Sequence, residues 1–280
     1  MKTIISSAAS LLLLVTVMVT FPVNVTAAND LPEGSTSLTL SCAPELQPLI
    51  NTWISDFSRS HPDIKIAVEQ GIAEPTGKSG KIFVFTEQHK REGTATTSFR
   101  LVAGREIIVP VINEANPLLN ELRQKGVTAE ALLKALTGSN QSGWGELTGS
   151  SRNIPVHFYI MDDGFTRSGV EAFLRANDAA MQGFKTESAD SFVNAIASDP
   201  HALGFCRLNA VLDDERGALA ARIAFLPVDR NGSGKLEFME DIYGSAADLT
   251  RGVWIGKYPK ALSGHLFLSM ARHPDRKSVV

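Results

Sequence analysis

Between Asp229 and Glu240 the chain reads DRNGSGKLEFME, a twelve-residue window with an acid at each end. With Asp229 as position 1, side-chain oxygens fall at positions 1, 3, 5, 9 and 12, on Asp229, Asn231, Ser233, Glu237 and Glu240. The backbone carbonyl of Lys235 falls at position 7, Gly234 can make the sharp bend at position 6, and Leu236 can turn inward at position 8. A calcium loop surrounds its ion with oxygen at this spacing. A hairpin turn would account for the NGSG core but has no need of acids at both ends. The residues therefore predict a structural Ca2+ site at Asp229, Asn231, Ser233, Lys235, Glu237 and Glu240. It is a single loop entered from the apolar RIAFLPV run, which suits bracing a fold better than sensing.

Little else in the sequence promises chemistry. The six histidines are scattered, and none is paired with another His or an acid at ligand spacing. GxSxG, HExxH and P-loop motifs are absent, so the chain reads as a non-enzyme. The formal charge is −3, with no stretch that interleaves basic and aromatic residues, and nucleic acid is not an expected partner.

The elements that must position any site alternate between strand and helix. STSLTLSC alternates like a strand, and Pro44 opens a helix with Leu46, Leu49, Ile50, Trp53 and Phe57 at helical spacing. HPDIKIAVEQG ends that helix and starts a second strand, which implies a right-handed crossover and parallel pairing. KIFVFT and REIIVPVI are nearly continuous apolar runs, as strands covered on both faces should be. Thr128 caps a helix carrying Leu132, Leu133 and Leu136. IPVHFYIM is a strand, SGVEAFLRAN a helix with Ser168 and Glu171 at capping-box spacing, SADSFVNAIASDP a helix, and ALGFCRL a strand. The chain is α/β.

At the N-terminus Lys2 precedes an apolar run of signal-peptide length, and small residues follow near Ala27 and Ala28. Residues 1–28 are read as a signal peptide removed on export. Its loss removes one Lys and no acid, taking the net charge from −3 to −4. Only Cys42 and Cys206 remain for an oxidising compartment, which leaves one disulfide and two buried thiols both open.

Several segments taken in order carry a resemblance: SCAPELQPLINTW, VPVINEANPLLNELRQKGVTAEALLKALTGSNQSGWGEL, TRSGVEAFL, ALGFCRL and GVWIGKYPKALSGHLFL. They resemble the phosphate-binding-like family of type 2 periplasmic solute-binding proteins. Asn116, Pro117, Gly126, Thr128, Leu132, Thr137, Gly138 and Trp144 are the most specific matches. The resemblance implies two α/β lobes of mixed sheets flanked by helices, joined by a hinge. Residues 29–111 would form the first part of lobe 1 and 112–220 lobe 2, with 221–280 returning to lobe 1 and containing the loop at 229–240, which is EF-hand-like.

The implied function is that of a monomeric substrate-binding protein of an ABC transporter, which binds an inorganic oxyanion, phosphate by default, and passes it to a membrane permease. Helix N-termini with Ser or Thr beside them suit such a ligand. The matching positions are Ser41, Cys42 and Thr86 in the first lobe and Ser168, Gly169 and Val170 in the second, with Arg167 able to swing in. Two departures stand against a plain phosphate site. The family's Arg four residues before the second Ser is Gly164, and Asp162 and Asp163 stand just ahead of it. The rival expectation is a binding-fold sensing or interaction subunit that no longer binds phosphate.

Overall fold

The computed structural model describes residues 36–43, 46–71, 81–86, 99–137, 143–149, 154–176, 183–213 and 217–270. The leader at 1–28, with its expected cleavage near Ala27 or Ala28, lies outside the described residues. Two sheets share one strand. Strand β1 (Thr36–Cys42) leads through helix α1 (Gln47–Ser60) to β2 (Ile64–Gln70), which pairs parallel to β1 as the crossover requires. β3 (Lys81–Thr86) lies on the other side of β1, also parallel. β4 (Phe99–Asn113) follows, and the last strand, β9 (Ser263–Met270), sits antiparallel between β3 and β4.

β4 is fifteen residues long, and its two halves differ in surroundings. Its first half, through Ile107, pairs with β9 in the first sheet. From Ile108 it pairs with β7 (Ala202–Arg207) in the second. Burial follows the change: Leu101 and Val102 are exposed, whereas Ile108, Val109, Val111 and Ile112 are fully buried. The second sheet is completed by β5 (His157–Met161), β6 (Phe184–Thr186) and β8 (Ile223–Phe225). Against it pack α2 (Leu119–Lys125), α3 (Ala129–Thr137), α4 (Trp144–Thr148), α5 (Gly164–Leu174), α6 (Ala189–Ser198) and α7 (Ala246–Trp254). Gly204 of β7 lets α6 lie close, since a Cβ there would stand 2.5 Å from the Phe192 ring.

Each sheet has its own core. The smaller one gathers Leu40, Cys42, Leu46, Ile50, Val84 and Leu266, and the larger one surrounds β4, β5 and β7. This moves a boundary. Residues 221–280 were expected to return to the first lobe, but Ile223, Phe225, Ile242, Leu249, Val253 and Tyr258 all belong to the larger core. The chain rejoins the first sheet only at β9, because the apolar faces of β8 and α7 find their partners on the second sheet.

The cysteines are resolved by the same division. Cys42 is buried in the smaller core and Cys206 in the larger, and the two form no disulfide. Burial, aided by the nearby Asp163 charge, pushes the Cys206 thiol well above its usual range, which makes it inert. Dithionitrobenzoate is expected to label neither thiol in the native protein and both in urea, and a reductant should leave the melting temperature unchanged. Faster native labelling would show that one of the cores opens.

Candidate functional site

The second-lobe site turns on where α5 begins. Ser168 and Glu171 were expected to form its capping box, but the helix starts four residues earlier, at Gly164. Its N-cap is Asp163, whose Oδ1 accepts from the Thr166 N–H at 3.0 Å and whose Oδ2 accepts from the Thr166 hydroxyl at 2.6 Å. Ser168 is therefore one turn inside the helix, where its hydroxyl donates to the Gly164 carbonyl at 2.8 Å. Gly169 and Val170 face the core. A Cβ on Gly169 would stand 2.2 Å from the Ile108 side chain, and Val170 is fully buried. Arg167 pairs with Asp162, Nε to Oδ1 at 3.4 Å, on a half-exposed surface. Thus Ser168, Gly169 and Val170 stand a full turn beyond the helix end that the expectation required.

What meets the start of α5 instead is Arg207, the last residue of β7 and only 7% exposed. Its Nε and Nη2 donate to Asp163 Oδ1 at 3.1 and 2.8 Å, and its Nη1 donates to Glu106 Oε1 at 2.7 Å. Phe165, in the first turn of α5, carries the guanidinium 5.5 Å from its ring centre and closes on Gly264 of β9. Glu106 lies on the part of β4 that pairs with β9, opposite Gly264. One cation, two carboxylates and a helix N-terminus with an exposed Gly164 therefore meet where β4 passes from one sheet to the other.

Sequence reasoning missed Arg207, Glu106 and Thr166, and weighed Asp163 only as an obstacle. The available sign was the apolar ALGFCRL strand ending in a cation, which a buried strand end tolerates only beside acids.

In the first lobe, Ser41 and Cys42 end β1 and Thr86 ends β3, all three buried. The Ser41 hydroxyl donates to the Gly71 carbonyl at 2.9 Å, tying β1 to the residue after β2 and leaving its oxygen only as an acceptor. Helix α1 begins at Gln47 with Leu46 as its N-cap, so Ser41 is not that cap. Thr86 stands opposite Leu266 of β9.

The segment 229–240 is an irregular loop packed beside α2 and α3, with Leu236 donating its N–H to the Gln124 carbonyl. Its two end acids turn inward, Asp229 to 3% exposure and Glu240 to 5%. Asp229 accepts from the N–H groups of Gly232, Ser233 and Gly234, and Glu240 from those of Arg230, Asn231 and Glu237. Asn231 Oδ1 accepts from Ser233, and the Ser233 hydroxyl donates to the Lys235 carbonyl. Gly234 has φ +72°, which only glycine adopts without strain. The acids at both ends, which a plain turn did not explain, are thus explained by six backbone donors. Among the described residues no group of three or more His, Cys, Asp or Glu side chains gathers as for a metal ion.

No protein-family model matches the chain. It is 25% identical over 205 residues to a phosphate-binding protein PstS of Bacillus subtilis, a match covering 70% of this chain and 65% of that relative's length. Among solved structures it resembles an ABC-type phosphate transport receptor of Vibrio cholerae, with TM-score 0.55, 13% identity, and 87% and 90% of the two chains covered. It likewise resembles a putative phosphate ABC transporter substrate-binding protein of Clostridium perfringens solved with bound phosphate, with TM-score 0.55, 14% identity and 88% of each chain covered. The fold is that of the type 2 periplasmic binding proteins.

The two ion-pairing arginines near α5 should separate cleanly in a stability measurement. Replacing Arg207 by Met strands two nearly buried carboxylates and should cost about 3–5 kcal/mol. Arg167→Ala breaks a half-exposed pair and should cost less than about 1 kcal/mol. Urea unfolding of the two variants checks this, and equal losses would refute the central place given to Arg207.

Proposed function

We propose that this chain is the exported solute-binding receptor of an ABC-type uptake system, a monomer that takes an inorganic oxyanion between its lobes and delivers it to a membrane permease. The observation that carries the reading is the N-terminus of α5 joined to the Arg207 guanidinium at the passage between the two sheets. A helix end supplies aligned N–H groups and partial positive charge, and the guanidinium, forked onto Asp163 and Glu106, supplies a full positive charge beside it. Arg207 thereby offers, from β7, the cation that Gly164 lacks. The fold and the similarity to proteins named for phosphate transport support the same reading, and they do not favour a sensing subunit that has lost its ligand.

Charge balance points to phosphate within the oxyanions. Asp163 and Glu106 together outweigh Arg207, so a fully deprotonated dianion meets net repulsion. Hydrogen phosphate keeps an O–H that can donate to a carboxylate, whereas sulfate at neutral pH does not. At one hundred times its dissociation constant, phosphate should raise the melting temperature by about 5–10 °C, and sulfate should leave it in place. The Arg207→Lys variant keeps the charge but loses the fork, and phosphate affinity should fall at least about tenfold. If neither phosphate nor any other oxyanion shifts the melting temperature of the wild-type protein, the receptor reading fails for this ligand class.

For the loop at 229–240 we infer a structural Ca2+. The donor set is entirely oxygen: the Asp229 and Glu240 carboxylates, the Asn231 and Ser233 side chains, the Lys235 carbonyl, and Glu237 directly or through water. Both end carboxylates are buried and turn toward the backbone of their own loop, which supports this reading. Bound calcium would neutralise them and stiffen the segment between β8 and α7. EGTA is expected to lower the melting temperature and millimolar calcium to restore it, with Asp229→Asn abolishing the response. No change on chelation would leave the loop to its hydrogen bonds alone.

A further inference from the structure

The sequence offered no His paired with a His or an acid, yet the fold assembles such a group at the start of β5 and β7. These strands run parallel with His157 opposite Ala202, which brings His157 beside His201. The His157 N–H donates to the His201 carbonyl at 3.1 Å, and the Trp144 indole donates to the same carbonyl at 3.1 Å. Asp199 holds both residues: its Oδ2 lies 2.6 Å from His157 Nδ1, and its Oδ1 accepts the His201 N–H at 2.9 Å. The Tyr159 hydroxyl stands 3.5 Å from the same carboxylate. The two imidazole centres are 6.0 Å apart with their planes at 60°, and the His157 side chain is 44% exposed.

We propose that His157 and His201 form a surface site for a borderline divalent transition metal such as Zn2+ or Cu2+, with Asp199 as the positioning residue behind His157. A carboxylate against Nδ1 fixes the proton on that nitrogen and leaves the Nε2 lone pair directed away from it, the arrangement in which metal-bound histidines are oriented. Two imidazoles bound to one ion at about 2.0–2.1 Å place their centres roughly 5–6 Å apart, so the observed separation needs no more than side-chain adjustment. Imidazole nitrogen selects this class of ion over Ca2+ or Mg2+, which want oxygen. Because Asp199 is engaged with His157, the protein ligands are the two rings alone and water completes the coordination. This agrees with the absence, among the described residues, of any group of three or more metal-ligating side chains. The site lies at the start of β5 and just ahead of β7, and owes nothing to the oxyanion or calcium readings.

The test is Cu2+ binding to the mature chain without an added histidine tag, read by calorimetry and electron paramagnetic resonance, with Zn2+ as competitor. One ion should bind with two nitrogen ligands. His157→Gln and His201→Gln should each weaken binding at least about tenfold and remove one nitrogen coupling. Asp199→Asn should weaken it by about 10–100-fold and alter the His157 tautomer seen in 15N NMR. His201 is held through its backbone, so His201→Gln should fold and keeps the test decisive even if Asp199→Asn does not. The proposal is overturned if the wild-type protein binds no ion at micromolar concentration, or if both histidine variants bind as the wild type does.

Discussion

A strand that belongs to two sheets constrains everything around it. β4 pairs with β9 over its first half and with β7 and β8 over its second, so each lobe's sheet is built on the same piece of backbone. At about 3.4 Å per residue fifteen residues span roughly 50 Å, enough to run through both sheets. The change of partners occurs between Ile107 and Ile108, and side chains on either side of that point must serve two environments. β9, the antiparallel neighbour of β4, is also the only described return of the chain from the second core to the first sheet. Any relative motion of the lobes must therefore be absorbed in β4 and β9, and Gly264, whose face is covered by the Phe165 ring, lies in the same place.

The Arg207 cluster sits at this point of change. A guanidinium at the end of a buried strand is costly to desolvate unless its donors are met, and here two carboxylates meet them, one from β4 and one from the cap of α5. The same contacts connect three elements: Glu106 reports on the first sheet, Asp163 on the helix, and Arg207 on β7. An anion bound as proposed would touch the residues that join the two sheets, so its binding would be felt at the crossing strand without a separate relay.

The alternating strand and helix pattern was legible because apolar continuity in KIFVFT and REIIVPVI, and the cap at Thr128, are local properties. Lobe assignment of 221–262 was not, since whether β8 and α7 cover one sheet or the other depends on pairing with β4, which no local pattern encodes. The binding end of α5 was misplaced by four residues for a simpler reason. Ser168 with Glu171 and Asp163 with Thr166 both satisfy a capping pattern, and burial of Phe165 against Gly264 decides between them. Arg207, Glu106 and the pair His157 with Asp199 were invisible because their members lie 101 and 42 residues apart and meet only through the sheets.

The start of α5 and the loop at 229–240 solve one problem in the same way. Both leave a row of backbone N–H groups pointing at a common space, and in both a carboxylate turns inward to accept from them. What differs is the surrounding charge. Beside α5 the positive groups are a guanidinium and the helix N-terminus. In the loop the two carboxylates accept from backbone N–H groups of their own segment, donors that carry no full charge. From the sequence, Asp162 and Asp163 read as obstacles to an anion and Asp229 and Glu240 as ligands for a metal. The opposite affinities proposed for the two sites rest on the donors that meet each carboxylate: the guanidinium of Arg207 on Asp163 in one, backbone amides on Asp229 and Glu240 in the other.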